Sequence, residues 1–259
     1  TKSALEALTS AEGPEEFDAA WKRVVENFEV LADRAETALE LRKAVLELGV
    51  RGHLVGSRAD DDGVPDFVTA DESPFPLPSQ WRWGRLECLA SDIVDCLHAT
   101  PRYTGSGLPA IRTADVIPGR MLIDRARLLD EDQLRDRIRR LEPKEGDIFY
   151  SREGERLGIA ACVPAGARVC LSQRMMHIRV RSPLVPQFVM WAMTSRFVYG
   201  QAVGDTGGST SPHINMKDIR RFLVPIPPPR HQKRIVVKVE QLMKICDDLE
   251  AKLRRAEDR

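Results

Sequence analysis

Apolar and small residues recur at Trp21, Val24, Phe28, Leu31, Ala35 and Ala38 with spacings that alternate three and four. That period lays them along one stripe of a helix, as in the seam of a helical pair. The phase skips at Leu41 and resumes through Val45 and Leu48, which predicts a stammer or a break between two helices. Pro14, Glu15 and Glu16 suit a first helical turn, and Gly49 and Gly52 predict the stop. Towards the other end Ile235, Val239, Leu242, Cys246, Leu249, Leu253 and Ala256 step by four and three in regular alternation, with lysines and arginines over much of the remaining surface. Two such stripes can pair antiparallel with each other or meet a partner's helices, through Phe28, Leu31, Ile235, Val239, Leu242, Leu249 and Leu253. Each can equally be an ordinary core-facing helix.

The middle of the chain follows other periods. Met176, Ile178 and Val180 alternate with His177, Arg179 and Arg181, which predicts a strand with one basic face. Asp147 to Tyr150 and Ile159 to Val163 predict strands on either side of a turn at 154–158. Pro186 to Arg196 reads as an apolar helix, Asp130 to Leu141 as a charged one. The mixture predicts an α+β fold, one mixed α/β domain with a partly antiparallel sheet, flanked by long helices. Residues 56–74, rich in Gly, Asp and Pro, read as a linker between a helical region at 1–55 and a domain at 75–226. Pro227-Pro228-Pro229 cannot continue a strand and sets the entry to a helix within 227–259.

Composition narrows the classes. Hydrophobic residues make up 42% and charged residues 30%, as in a soluble globular protein. No apolar run approaches the roughly 20 residues of a membrane span, and the N-terminus has no apolar signal core, so a cytoplasmic location is expected. The five cysteines lack C-x-x-C spacing, so reduced thiols are expected and a metal site is not. The net charge of zero divides into −9 over 1–74, +6 over 75–226 and +3 over 227–259. A basic middle suits a polyanion such as double-stranded DNA, although many soluble domains carry similar charge.

Several loops carry residue types that contact nucleic acid. Gly207-Gly208-Ser209-Thr210-Ser211, with Lys217 nearby, offers backbone N–H groups and hydroxyls to phosphate, or is a flexible turn. Arg112 can fork onto guanine and Thr113 can touch base edge or phosphate; alternatively Arg112 pairs with Asp115 and Thr113 caps a turn. His98, Thr100, Arg102 and Tyr103 form a polar loop. Ser151, Arg152 and Arg156 stand beside Glu153 and Glu155, acids that could satisfy the arginines. Gln173 can read adenine bidentately, with Arg174 adjacent. Catalytic patterns are lacking: no Gly-rich cofactor loop with Asn-Pro-Pro-Tyr, no nuclease carboxylates with their Lys, no Gly-x-Ser-x-Gly and no His-Glu-x-x-His. A non-catalytic chain is expected.

Six segments taken in order resemble one family. They are Leu77-Pro78-Ser79-Gln80-Trp81-Arg82-Trp83-Gly84-Arg85-Leu86, Asp95-Cys96-Leu97-His98-Ala99-Thr100-Pro101-Arg102-Tyr103, Ile111-Arg112-Thr113-Ala114-Asp115-Val116, Gly146-Asp147-Ile148-Phe149-Tyr150-Ser151, Gly207 to Ile214 including His213, and Pro225 to Val236. Their order resembles the specificity subunits of Type I DNA restriction–modification systems. Cys96 and His231 depart from that pattern, which more often has Gly and Glu there.

The resemblance implies a target-recognition domain on long helices that form an antiparallel coiled-coil spacer. It implies binding to one half of a bipartite DNA target. Methyltransferase subunits would be partners and would carry S-adenosylmethionine; this chain would hold no cofactor. A restriction subunit could join. With one such domain, the chain resembles either a half-sized subunit acting as a homodimer or a fragment. The alternatives are a DNA-binding regulator or defence protein without a methyltransferase, and a protein-interaction scaffold with no DNA role.

Overall fold

The computed structural model describes residues 35–257 apart from 98 and 204–212, together with residues 7, 16, 19, 20, 22, 23 and 26. The seam residues Trp21, Val24, Phe28 and Leu31 lie outside the described residues. The chain forms two compact units, Thr1–Arg58 with Arg234–Arg259, and Ala59–Lys233.

In the first unit, α1 (Ala35–Arg51) ends where the backbone turns left-handed at Gly52, φ +81. The His53 N–H then reaches back to the Leu48 carbonyl at 3.0 Å. This is the Schellman closure, which favours glycine because no Cβ opposes a positive φ. Gly49, expected as part of the stop, lies inside the helix.

The second unit begins at Ala59, so most of the segment read as a linker belongs to it. Val64 and Val68 are buried, and the Arg85 N–H donates to the Thr69 carbonyl at 3.1 Å. Two apolar residues among the Gly, Asp and Pro are enough to dock the stretch. The elements follow as β1 (Arg82–Arg85), α2 (Leu86–Leu89), β2 (Ala90–Asp95), β3 (Leu108–Ile111), β4 (Val116–Ile117), β5 (Arg120–Met121), β6 (Arg127–Leu129), α3 (Glu131–Ile138), β7 (Ile148–Ser151), β8 (Ala160–Cys162), β9 (Cys170–Leu171), β10 (Met175–Val180), α4 (Pro186–Thr194), α5 (Arg196–Val203), α6 (Met216–Arg220) and β11 (Leu223–Ile226).

Among the described residues, the central sheet is antiparallel in the order β2-β10-β7-β8, and a mixed sheet runs β6-β3-β9 with β3 and β9 parallel. β1 pairs antiparallel with β11, Trp83 facing Pro225. The opening and closing segments of the domain are thus one ribbon. Local signals explain several boundaries. Asp130 accepts from the Gln133 N–H at 2.9 Å and so caps α3. Pro118-Gly119 makes the β4–β5 turn with Gly119 at φ +77, and a Cβ there would lie 2.2 Å from the Trp191 ring. Ser195 ends α4 and its hydroxyl accepts the Val198 N–H at 3.3 Å, so the helix expected at 186–196 stops at Thr194 and a further one, α5, follows.

The central sheet is buried on both faces: every residue of β7 is buried. Cys96, Ile111, Phe149, Leu171 and Met175 cluster on one side, while Tyr150 meets Phe222 on the other. Each such large side chain contributes about 1.5–3 kcal/mol on burial. This coverage alters the expected basic face of β10. His177 is 1% exposed and shares Asp147 with Arg179, the nearest contacts being 2.6 and 2.7 Å. Burial alone would raise the Asp147 pKa. Hydrogen bonds from His177, Arg179 and the Lys144 N–H outweigh it and hold the carboxyl down at about 2.

The last helix, α7 (Pro229–Glu257), starts on the third proline of the triple. In the first unit it runs antiparallel to α1. Gly49 faces Ile235 and Val239, while Arg42, seven residues earlier, pairs with Asp247 at 2.6 Å and Glu250 at 2.8 Å. Ile235, Val239 and Cys246 are buried; Leu242, Leu249 and Leu253 are half-buried. Ala44, Leu48 and Ala20 form a small core of their own with Leu41 and Leu54.

Candidate nucleic-acid interface

The register of the central sheet gathers the loops. Met176 faces Asp95, Met175 faces Ser151, and Tyr150 faces Ala160. The loops after β2 and β7 and before β10 and β8 therefore all emerge at one end. The parallel pairing of Ile111 with Leu171 brings 112–115 and 172–174 out beside them, with the Ser172 N–H on the Ile111 carbonyl at 2.9 Å. Thr100, Arg102, Tyr103, Arg112, Thr113, Arg152, Arg156, Gln173, Arg174 and His213 belong to this cluster.

Side chains lace it together. Gln173 donates to the Thr100 hydroxyl at 2.9 Å. The Tyr103 and Ser172 hydroxyls are 3.0 Å apart, and Arg127 lies 4.9 Å over the Tyr103 ring. α3 straps the 96–107 loop. Arg137 donates to the Ala99 carbonyl at 2.7 Å and Arg140 to that of Asp95 at 3.2 Å. Gln133 bonds the Arg102 backbone at both N–H and carbonyl, 2.7 and 2.6 Å. The Arg102 side chain is thus presented from a pinned backbone, and Arg102 is exposed. Gln133, Arg137 and Arg140 were not singled out from sequence; the one signal is Gln133 and Arg137, four apart on a helix face that must meet something, with Arg140 just past the helix end.

Two candidates prove to be internal, and a third, Arg112, is closed on a carboxylate. Arg112 closes its Nε and Nη2 on Asp115, both at 2.7 Å, and Asp115 is 2% exposed. The fork expected for guanine is already occupied. The hydrogen bonds to Asp115 raise the guanidinium pKa, and Thr113 opens the short 3-10 turn that the pair closes. Ser151 is the fully buried last residue of β7. Arg152 is drawn inward by Asp95 at 2.9 Å and Glu153 at 3.4 Å and is 4% exposed. Arg156 stays exposed, bonding the Val116 carbonyl at 2.9 Å instead of the acids beside it.

Glu153 stands at a junction. Besides Arg152 it meets Arg174 at 3.6 Å and His213 at 3.3 Å. Residues 213–214 lie along the extension of β7: Glu153 and His213 form a β-bridge, and the Ile214 N–H donates to the Arg152 carbonyl at 3.0 Å. His98, Ser209, Thr210 and Ser211 lie outside the described residues. Lys217 is exposed on α6. Among the described residues no three His, Cys, Asp or Glu side chains stand together as a metal site, and no helix is long and apolar enough to cross a membrane.

Residues 134–256 match the family described as the Type I restriction modification DNA specificity domain. That stretch is just under half of the chain, its C-terminal part. It is 23% identical to the EcoAI specificity subunit of Escherichia coli, over 95% of this chain and 46% of that protein. It is 21% identical to the EcoEI specificity subunit of the same organism, over 98% and 48%. The chain thus spans about half the length of these relatives. Its fold is similar to that of the HsdS subunit from Thermoanaerobacter tengcongensis, with a TM-score of 0.54, 20% identity, and coverage of 98% of this chain and 54% of that one. The matched residues take in most of α3, β7 to β11 and nearly all of α7. They therefore include two of the loops at the gathered end, 152–159 and 172–174, and the terminal helix.

Proposed function

We propose that this chain reads DNA sequence for a Type I restriction–modification assembly. The end of the central sheet where the loops gather binds one half of a bipartite target in the major groove. Exposed Arg102, Arg156, Arg174 and Lys217 supply the positive charge that phosphates attract, and Gln173 and Thr100 offer groups that can read base edges. Chemistry belongs to partner methyltransferase subunits, which hold S-adenosylmethionine and dock on the α1–α7 unit; a restriction subunit joins some assemblies. The site of action is the cytoplasm.

The helices act as a ruler. α7 has 29 residues, and at about 1.5 Å per residue it spans roughly 44 Å, somewhat more than one turn of DNA at about 34–36 Å. A second recognition domain, from a second copy or from a different chain, reads the other half-site.

The observation that carries this reading is the convergence of the polar loops on one sheet end in a chain whose residues 134–256 match the Type I specificity-domain family. The test is a methylome. The chain is expressed with its methyltransferase subunit in a methylation-free host, and modified adenines are mapped. A split motif is expected, palindromic for two copies and asymmetric for two different domains. No modified site, with a folded and cofactor-loaded partner, overturns the reading.

A further inference from the structure

Arg174 has a left-handed backbone, φ +64, as no other described non-glycine residue does. Glycine adopts that conformation freely and a long side chain adopts it at a cost. The turn between β9 and β10 uses only the backbone of this residue: its carbonyl accepts the Arg152 N–H at 3.2 Å. The side chain is 64% exposed, so a glycine would build the same turn with less strain. A strained conformation that packing does not require points to the side chain's use.

What Arg174 reaches is the Glu153 carboxylate, at 3.6 Å. That carboxylate also has Arg152 at 3.4 Å and His213 at 3.3 Å, so it stays compensated when Arg174 leaves. Beside Arg174, Gln173 is already oriented by Thr100. A carboxylate offers a guanidinium paired acceptor oxygens, as does a phosphate; the guanine major-groove edge offers a paired oxygen and nitrogen.

We propose that Glu153 is a stand-in acceptor and Arg174 a specificity-determining residue. Arg174 exchanges Glu153 for a guanine edge on DNA. DNA that does not place an acceptor there leaves the internal pair intact and binds less well. The proposal rests on the loop end being the DNA-reading face.

The test uses the complex of this protein with its methyltransferase subunit, the target duplex from the wild-type methylome, and the set of its single base-pair changes. Wild-type protein that shows no preference for the target overturns the DNA-reading function itself. Given that preference, Arg174→Gly is expected to melt no earlier than wild type and to weaken target binding about ten- to hundredfold. A guanine contact shows as preference lost at one base pair. Equal weakening on every duplex, with the salt slope reduced by about one, is a phosphate contact without base choice and overturns the specificity role. Glu153→Gln is expected to raise binding to altered duplexes severalfold. Arg174→Gly that binds every duplex as wild type does, or Glu153→Gln that leaves binding to altered duplexes unchanged, overturns the proposal.

Discussion

Strands β7 and β10 carry a cluster of Arg, His and carboxylate at each end, and the two clusters differ in almost everything but composition. At one end Asp147 holds His177 and Arg179. Asp147 and His177 are nearly inaccessible, and His177 and Arg179 converge on the one carboxylate. At the other end Glu153 gathers Arg152, Arg174 and His213, but Arg174 and His213 are 64% and 42% exposed and the contacts are 3.3–3.6 Å. The first has short bonds and little water to compete, so it works as a fastener. The second has longer contacts in a wet setting, where ion pairs contribute little to stability and exchange partners readily. The same residue types become architecture or a contact surface according to burial.

Variants can test that contrast. Asp147→Ala should be the most damaging, because it leaves Arg179 uncompensated beside a buried His177. A loss of about 3 kcal/mol is expected in urea unfolding, with the DNA target unchanged. Arg152→Ala removes the one buried member of the open cluster and leaves Asp95, 10% exposed, without it. A loss of about 2 kcal/mol is expected, together with faster hydrogen exchange at the Ile214 amide.

Acid should act on the closed cluster through Asp147. The folded pKa of Asp147 is depressed to about 2, below the unfolded value of about 3.9. The stabilisation is therefore complete above the unfolded value and disappears as pH falls through about 2, amounting to roughly 2 kcal/mol. Asp147→Asn should flatten the stability curve between those limits, and urea midpoints across pH measure it. Arg112→Lys should have the smallest effect, about 1 kcal/mol, from loss of the two-point fork on Asp115. Base preference in a methylome should not move, because that fork faces inward.

Much of the secondary structure was legible. The period-two run at 176–181, the charged stretch from Asp130, the Gly52 stop and the triple proline at the entry to α7 all act over a few residues, and each produced the element expected. The order of six short segments pointed to the specificity family, and the family match at 134–256 agrees with it. The docking of 59–74 was not legible, because Val64 and Val68 are a weak signal within a turn-rich stretch. The basic face of β10 was half wrong for a related reason. Period two assigns sides, but it does not say that both sides are covered.

The candidate site divides along the same line. Residue type and loop position found Thr100, Arg102, Tyr103, Gln173 and Arg174, and the register of two sheets brings them together. The same criteria also selected Arg112, Ser151 and Arg152, which fold inward. Arg152 meets Asp95 57 positions away and His213 61 away, and the Asp147–His177 pair spans 30.

By itself, the sequence determined what is local: where helices and strands form, where they stop, and which residue types are available for contact. Backbone sterics, capping and side-chain periodicity act within a few residues and so are written in the order of the chain. Tertiary structure alone decided which arginines keep an open guanidinium and which are closed on a carboxylate. Strand register sets those distances between remote residues, and burial sets how strongly each pair holds.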